Sequence, residues 1–248
     1  METIRLSQTS SLVLEEHLSP ELTCRGYIII CPGGAYSHLS PREAEPIARS
    51  FRERGWKSAI LYYSVREKPT DPALGKKPLL ELGKAMSLIK EKSPDLPIAV
   101  IGFSAGAHLA ASLGVHWKEE GLLKPDALIL SYPVITAGAF AHKESIANLT
   151  EGDASYYSLE NHVSADTPPT FLWHTAADAG VPVQNSLLFY ERMLACGVKG
   201  ELLIFPKGAH GLSLATPEVS EPEKNRYPDA HIARWFDQCV DWLEYTLG

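Results

Sequence analysis

The chain has no apolar run that approaches the roughly 20 residues needed to cross a bilayer. It has four cysteines, Cys24, Cys31, Cys196 and Cys239, and no C-x-x-C pair. Two lie in apolar segments, so they read as reduced thiols of a cytoplasmic protein, with no disulfide indicated. Positive charge is scarce: 23 Lys and Arg stand against 30 Asp and Glu, for a formal net charge of −7. That balance argues against nucleic acid or an anionic membrane surface as a partner. No internal repeat, low-complexity tract, G-x-G-x-x-G loop or Walker lysine is present, and no His/Cys cluster has metal-ligand spacing. Neither a metal nor an organic cofactor is therefore expected. Residues 1–19 contain Arg5, Glu15 and Glu16 and lack a continuous apolar stretch, unlike a signal peptide. What remains is 248 residues, 45% hydrophobic and 21% charged, enough for one globular domain over 1–248. Self-association is left open by these observations.

Apolar patterning along the chain alternates between two periods. Thr3–Leu6 and Leu12–Glu15 read as short strands of an antiparallel edge. Tyr27–Cys31 is a continuous apolar, β-branched run, as a strand buried on both faces requires. Ser58–Tyr63, Ile98–Gly102, Ala127–Tyr132, Thr170–His174 and Glu201–Phe205 complete the expected strands. Ser40-Pro41-Arg42-Glu43 reads as a capping box with proline at the first helical position, opening a helix to about Gly55. Further helices are expected over Lys77–Lys92, Ser104–His116, Gln184–Ala195 and Ala230–Leu247. This alternation calls for a mainly parallel sheet with helices on both faces. Two polar, turn-rich segments, 137–167 and 212–229, interrupt it. Ligands of open α/β sheets bind beyond the carboxyl ends of the strands, so 137–167 is the candidate substrate-covering insert.

The chemistry concentrates at Gly102-Phe103-Ser104-Ala105-Gly106, a G-x-S-x-G pentapeptide set between a strand and a helix. A serine on that sharp turn stands exposed at the sheet edge, where it can act as a nucleophile. It then requires a base, an acid to orient the base, and donors for an oxyanion. His210 follows the last strand on the Gly-rich loop Pro206–Gly211 and fits the base, with His174 and His108 as competitors. Asp178 follows the preceding strand and fits the acid. Asp166 and Asp153 lie in the irregular insert, and Asp229 comes after the histidine, in the wrong chain order. The Ala105 amide and those of the loop Pro32-Gly33-Gly34-Ala35-Tyr36 are the oxyanion candidates.

The segments CPGGAYSHLSPREAEPIARSF, IGFSAGAHLAASL, PPTFLWHTAADAGVPVQNSLLFYERM and ELLIFPKGAHGLSL carry a resemblance to the α/β-hydrolase superfamily over nearly the whole chain. More narrowly, the chain resembles small bacterial esterases such as acetyl xylan esterases and related carbohydrate deacetylases. The resemblance implies Ser104 as nucleophile, Asp178 as acid and His210 as base, with Gly34, Ala35 and Ala105 as oxyanion donors. Pro32 and Ala35 depart from the family's His-Gly-Gly-Gly pattern, Ala177 replaces a frequent aspartate, and Ala107 replaces a glycine. The expected activity is hydrolysis of short-chain, acetyl esters of sugars or xylo-oligosaccharides, a small-molecule substrate, with no cofactor. Tyr36, Tyr132 and Trp173 are expected to offer aromatic faces to a sugar. Rival readings are an arylformamidase or similar amide hydrolase with the same triad, and a catalytically inactive hydrolase fold acting as a binding protein.

Overall fold

The computed structural model describes residues 1–17 and 23–248. Among them a single sheet runs in the order β1-β2-β4-β3-β5-β6-β7-β8. Its strands are β1 (Glu2–Arg5), β2 (Ser11–Glu15), β3 (Gly26–Cys31), β4 (Trp56–Tyr62), β5 (Ile98–Phe103), β6 (Ala127–Ser131), β7 (Thr170–Thr175) and β8 (Gly200–Phe205). The β1–β2 and β2–β4 pairs are antiparallel. From β4 through β3 to β8 every pair is parallel. The fold is thus the α/β architecture that the alternation of periods calls for.

Each central strand is buried on both sides, and its alternate residues feed two separate cores. Tyr27, Ile29, Val100, Leu128, Leu130 and Leu172 pack on one face. There they meet α2 (Lys77–Lys92), α3 (Ala105–His116) and α5 (Gln184–Ala195). Ile28, Ile30, Ile101, Phe103, Ile129 and Trp173 pack on the other face, under α1 (Glu45–Glu53) and α7 (Trp235–Leu247). Apolar positions at helical spacing serve this arrangement: Ile47, Ala48 and Phe51 of α1, and Trp235, Cys239, Val240 and Trp242 of α7, are all buried. Among the described residues no helix is long and apolar enough to cross a membrane.

The structure corrects three local expectations. Ser40 makes no side-chain cap. Pro41–Glu43 is an isolated 3-10 turn, and Ala44, at φ −110° and ψ −100°, breaks the chain before α1 begins. Ser40–Glu43 is therefore not a capping box, because the Glu43 side chain is turned into the core instead of back to the Ser40 amide. The C-terminal helix is divided: α6 (Ala230–Ala233), capped by Asp229, is separated from α7 at Arg234. The insert 137–167 also holds regular structure: α4 (Lys143–Leu149) and two 3-10 turns, at Ser155–Tyr157 and Leu159–His162. Its apolar residues Ile146, Leu149, Tyr157 and Leu159 are buried, which fixes it to the body of the sheet.

Candidate active site

Ser104 joins β5 to α3 at φ 52° and ψ −115°. An L-residue adopts that region only under strain, held by its surroundings. The flanking glycines explain how the turn closes. A Cβ on Gly102 would lie 2.1 Å from the Gly106 carbonyl oxygen. A Cβ on Gly106 would lie 2.0 Å from the carbonyl oxygen of Cys31, at the end of β3. Strand, helix and neighbouring strand therefore approach to distances that admit only glycine. Ser104 itself is 7% exposed and faces a cleft of about 410 Å³.

A continuous hydrogen-bond chain leads away from the serine. Ser104 Oγ donates to His210 Nε2 at 2.8 Å. His210 Nδ1 donates to Asp178 Oδ2 at 2.7 Å. The other Asp178 oxygen accepts the amides of Gly180 and Val181, each at 2.8 Å. His174 Nε2 also lies 3.3 Å from Oδ2, and it donates to the Val181 carbonyl at 3.0 Å. Burial alone would push the Asp178 carboxyl up. The hydrogen bonds from His174 and His210, the nearby His210 charge and the Val181 amide outweigh it and hold the group well below the usual carboxylate range. Asp178 is thus a buried carboxylate with every oxygen satisfied, and it fixes the proton of the imidazole on Nδ1.

Gly34 and Ala35 sit on the loop after β3, beside the cleft. Among the described residues, the Gly34, Ala35 and Ala105 amides have no protein acceptor, while the Gly33 amide is taken by Glu43. Gly34 and Ala35 adopt φ 132° and 56°, and their carbonyls are bonded to other groups. The Gly34 carbonyl accepts Ser37 and His38 amides, and that of Ala35 accepts Asn148 Nδ2 at 2.9 Å.

The loop carrying His210 is fastened by two guanidinium groups. Arg226 Nε donates to the His210 carbonyl at 2.8 Å, and Arg42 donates to the Gly211 carbonyl at 3.0 Å. Glu221 pairs with both arginines and with Lys224. Although desolvation raises it, these cations pull the Glu221 carboxyl down to about 2. Segment 212–229 is therefore a brace for the histidine loop, closed by a bridge between Glu221 and Arg226.

The structure joins Ser104, His210 and Asp178 in one hydrogen-bonded chain, and Gly34 and Ala35 line the same cleft as Ser104 and His210. The aromatic trio does not line it. Tyr36, Tyr132 and Trp173 are 1%, 2% and 0% exposed, so none offers a face to a sugar. The Tyr36 hydroxyl donates to His108 Nδ1 at 3.0 Å, and Trp173 Nε1 donates to Ser131 Oγ at 2.8 Å. Tyr132 packs its ring edge-on against His210, at 5.2 Å, from the protein side. His108, a competing base, is enclosed: its Nε2 donates to the Tyr157 carbonyl at 3.0 Å, and burial pushes its pKa down to about 4.

Sequence reasoning also missed much of the cleft wall: His38, Arg42, Glu43, His142, Glu144, Glu221 and Arg226. His142 caps α4 by accepting the Ser145 amide. Burial and the neighbouring His210 lower its pKa, against opposing pulls from Glu144 and Asp178. His142 and Glu144 lie in segment 137–167 and Glu221 and Arg226 in 212–229, whereas His38, Arg42 and Glu43 lie on the stretch after β3, where Arg42 and Glu43 read as part of a capping box.

Comparison with known proteins agrees with this architecture. Residues 81–163 match the family model described as alpha/beta hydrolase fold, and residues 132–242 match that of the prolyl oligopeptidase family. The chain is 35% identical over 213 residues to endo-1,4-beta-xylanase B of Butyrivibrio fibrisolvens. That match takes in 78% of this chain but 33% of the xylanase, so the chain spans about a third of that relative's length. An acetyl ester-xyloside bifunctional hydrolase from Caldicellulosiruptor lactoaceticus superposes with a TM-score of 0.83 at 33% identity, covering 98% of this chain and 96% of that one. A carboxylesterase from Lactobacillus plantarum superposes with a TM-score of 0.84 at 26% identity, with 98% and 96% covered. By fold, by near-complete coverage and by these neighbours, the chain belongs to the α/β-hydrolase family, in the group of ester hydrolases that resembles xylan esterases.

Proposed function

We propose that the protein is a serine carboxylesterase that removes short acyl groups, acetyl above all, from sugars or xylo-oligosaccharides. The observation that carries the chemistry is the unbroken chain from Ser104 Oγ through His210 to Asp178. Because Asp178 holds the imidazole proton on Nδ1, Nε2 is free to take the proton of Ser104 as its oxygen attacks the acyl carbonyl. The carbonyl oxygen gains charge and is received by the Gly34, Ala35 and Ala105 amides, each worth about 3 kcal/mol. The tetrahedral adduct collapses, the C–O bond to the alcohol breaks, and His210 returns the proton to the departing oxygen. Water then gives its proton to His210, attacks the acyl-serine, and releases the acid with Ser104 restored.

The cleft wall supports the substrate class. A long acyl chain needs an apolar channel. Here the cleft beside Ser104 is lined by histidines, arginines, a lysine and carboxylates, and Ala35 and Pro41 are the apolar side chains among its lining residues. Such a wall suits a small acyl group on an alcohol rich in hydroxyls. The names of the neighbours, a xylanase and an acetyl ester-xyloside hydrolase, point the same way.

An acetate-release screen tests this. Acetylated xylo-oligosaccharides, acetylated monosaccharides, aryl acetates and cephalosporin-type acetates are offered to the wild type and to Ser104→Ala, with aryl esters of longer acids and N-formylkynurenine read alongside by release of the aryl alcohol and of formate. Acetate is expected from the sugar and aryl esters, and from none of them with the variant. Turnover confined to longer acyl esters, or a fully active Ser104→Ala protein, would overturn the reading.

A further inference from the structure

The Pro41–Glu43 turn carries a side chain that neither a helix cap nor the triad accounts for. Glu43 is 3% exposed. Among the described residues it forms no ion pair, whereas sixteen other pairs are present. A carboxyl group is costly to bury in this way and is retained only where its oxygens are needed. Both are used. Oε2 accepts the Gly33 amide at 2.9 Å. Oε1 accepts the Tyr132 hydroxyl at 2.6 Å.

One partner, Gly33, belongs to the candidate oxyanion loop, and the other, Tyr132 just past β6, contacts the histidine loop. Gly33 immediately precedes the two candidate oxyanion amides of its loop. A Cβ built on Gly33 would sit 2.7 Å from Glu43 Oε2 and 3.1 Å from Ser104 Cβ, so the contact lies directly against the nucleophile. Tyr132 leads to the base: its oxygen accepts the Ser213 amide at 3.0 Å, beyond His210 in the chain, and its ring packs on the imidazole. The turn is fastened to the same loop by its neighbour, since the Arg42 carbonyl accepts Ser213 Oγ at 2.7 Å.

A negative charge behind an oxyanion opposes it by Coulomb's law, so the benefit must be geometric. A carboxylate can only accept hydrogen bonds. It therefore holds the Gly33 N–H on its own oxygen, and the rigid peptide plane fixes the direction of the chain that follows. Gly34 and Ala35 are left to present their amides to Ser104. We propose that Glu43 is a positioning residue that aims the oxyanion loop and locks it to the histidine loop through Tyr132. This rests on the serine-esterase reading above.

The test uses Glu43→Gln, Glu43→Ala and Tyr132→Phe. Glutamine keeps one acceptor, but its NH2 must face either the Gly33 amide or the Tyr132 hydroxyl. Competent sites are counted by complete labelling with a fluorophosphonate, so kcat is read per competent site. The expected loss of kcat is about 100-fold for Glu43→Ala, the size of one lost oxyanion donor, and about 10-fold for the other two. KM for p-nitrophenyl acetate stays within about twofold, as for an interaction made only in the transition state. Inhibition by a trifluoromethyl ketone, whose serine adduct carries an oxyanion, weakens in proportion to kcat. A purely structural role would lower the number of competent sites and leave both per-site constants alone. Wild-type per-site kcat, or a kcat loss with unchanged ketone affinity, in whichever variants fold overturns the proposal. Ser104→Ala separates the two levels. If it is inactive while the Glu43 variants match wild type, only the positioning role fails; if it is active, the esterase reading fails and takes this role with it.

Discussion

Replacing Asp178 by asparagine is the sharpest test of how the imidazole is held. The substitution preserves shape and removes one charge, and the structure decides which way the new amide turns. Oδ1 receives two amides, from Gly180 and Val181. Turning the NH2 group toward them would leave two buried donors unsatisfied, at about 1–3 kcal/mol each. The asparagine oxygen therefore stays on the amides, and its NH2 faces His210 Nδ1. The imidazole must then accept at Nδ1 and carry its proton on Nε2, where it cannot receive the proton of Ser104. Loss of the correct tautomer reduces kcat by about 10⁴-fold, equivalent to about 5 kcal/mol of transition-state stabilisation. The assay is kcat/KM for p-nitrophenyl acetate near neutral pH, with ring-nitrogen NMR of the labelled histidine to read the tautomer directly. Activity within tenfold of wild type would refute the reasoning, as would an imidazole that keeps its proton on Nδ1. Stability gives a second reading. Because the folded-state pKa of Asp178 is depressed, its contribution is fully present above the unfolded value of about 3.9 and is lost as pH falls toward the lower folded value. The difference in unfolding free energy between wild type and Asp178→Asn is thus expected to be constant from pH 7 to about pH 5 and to shrink on further acidification.

His108 gives an acid-side effect of its own. Its pKa falls from 6.5 to about 4 on burial, so the unfolded chain binds a proton that the folded protein refuses. Stability from this group is present above pH 6.5 and lost between 6.5 and 4, amounting to about 3 kcal/mol, and chemical denaturation of His108→Gln should show a shallower pH slope in that window. The Ser104 backbone supplies a different comparison. At φ 52° alanine is strained and glycine is not, so Ser104→Gly should be more stable than Ser104→Ala by about 1 kcal/mol in urea titrations, although both are inactive.

Legibility in the sequence followed the strength of the physical signal. The strands Tyr27–Cys31 and Ile98–Gly102 were readable because burial on both faces demands unbroken apolar runs. Ser104, Asp178 and His210 were readable because each follows its own strand and the glycines around Ser104 are sterically obligatory. Glu43 was misread because Ser-Pro-Arg-Glu satisfies a capping box in one dimension. Which way the glutamate turns depends on Gly33 and Tyr132, distant in sequence. Tyr132 and Trp173 failed as sugar platforms for a related reason. Tyr132 lies just past β6 and Trp173 within the carboxyl half of β7, where substrate faces and core look alike until the packing is known: Tyr132 packs on Trp173, and Trp235 stacks on Trp173 at 4.9 Å. The Arg42–Glu221–Arg226 brace joins residues from opposite ends of the chain through partners that carry no periodicity.

Asn148 holds the Ala35 carbonyl from within the insert 137–167. The same insert contributes His142 and Glu144 to the cleft wall. Choice of substrate and speed of reaction therefore share one piece of chain. A change in α4 that reshapes the wall also shifts Ala35, whose amide is one of the proposed oxyanion donors. Variation in α4 that alters the cleft wall is then tied to the position of the Ala35 loop, whereas variation at Glu221 or Lys224 reaches the wall from another segment.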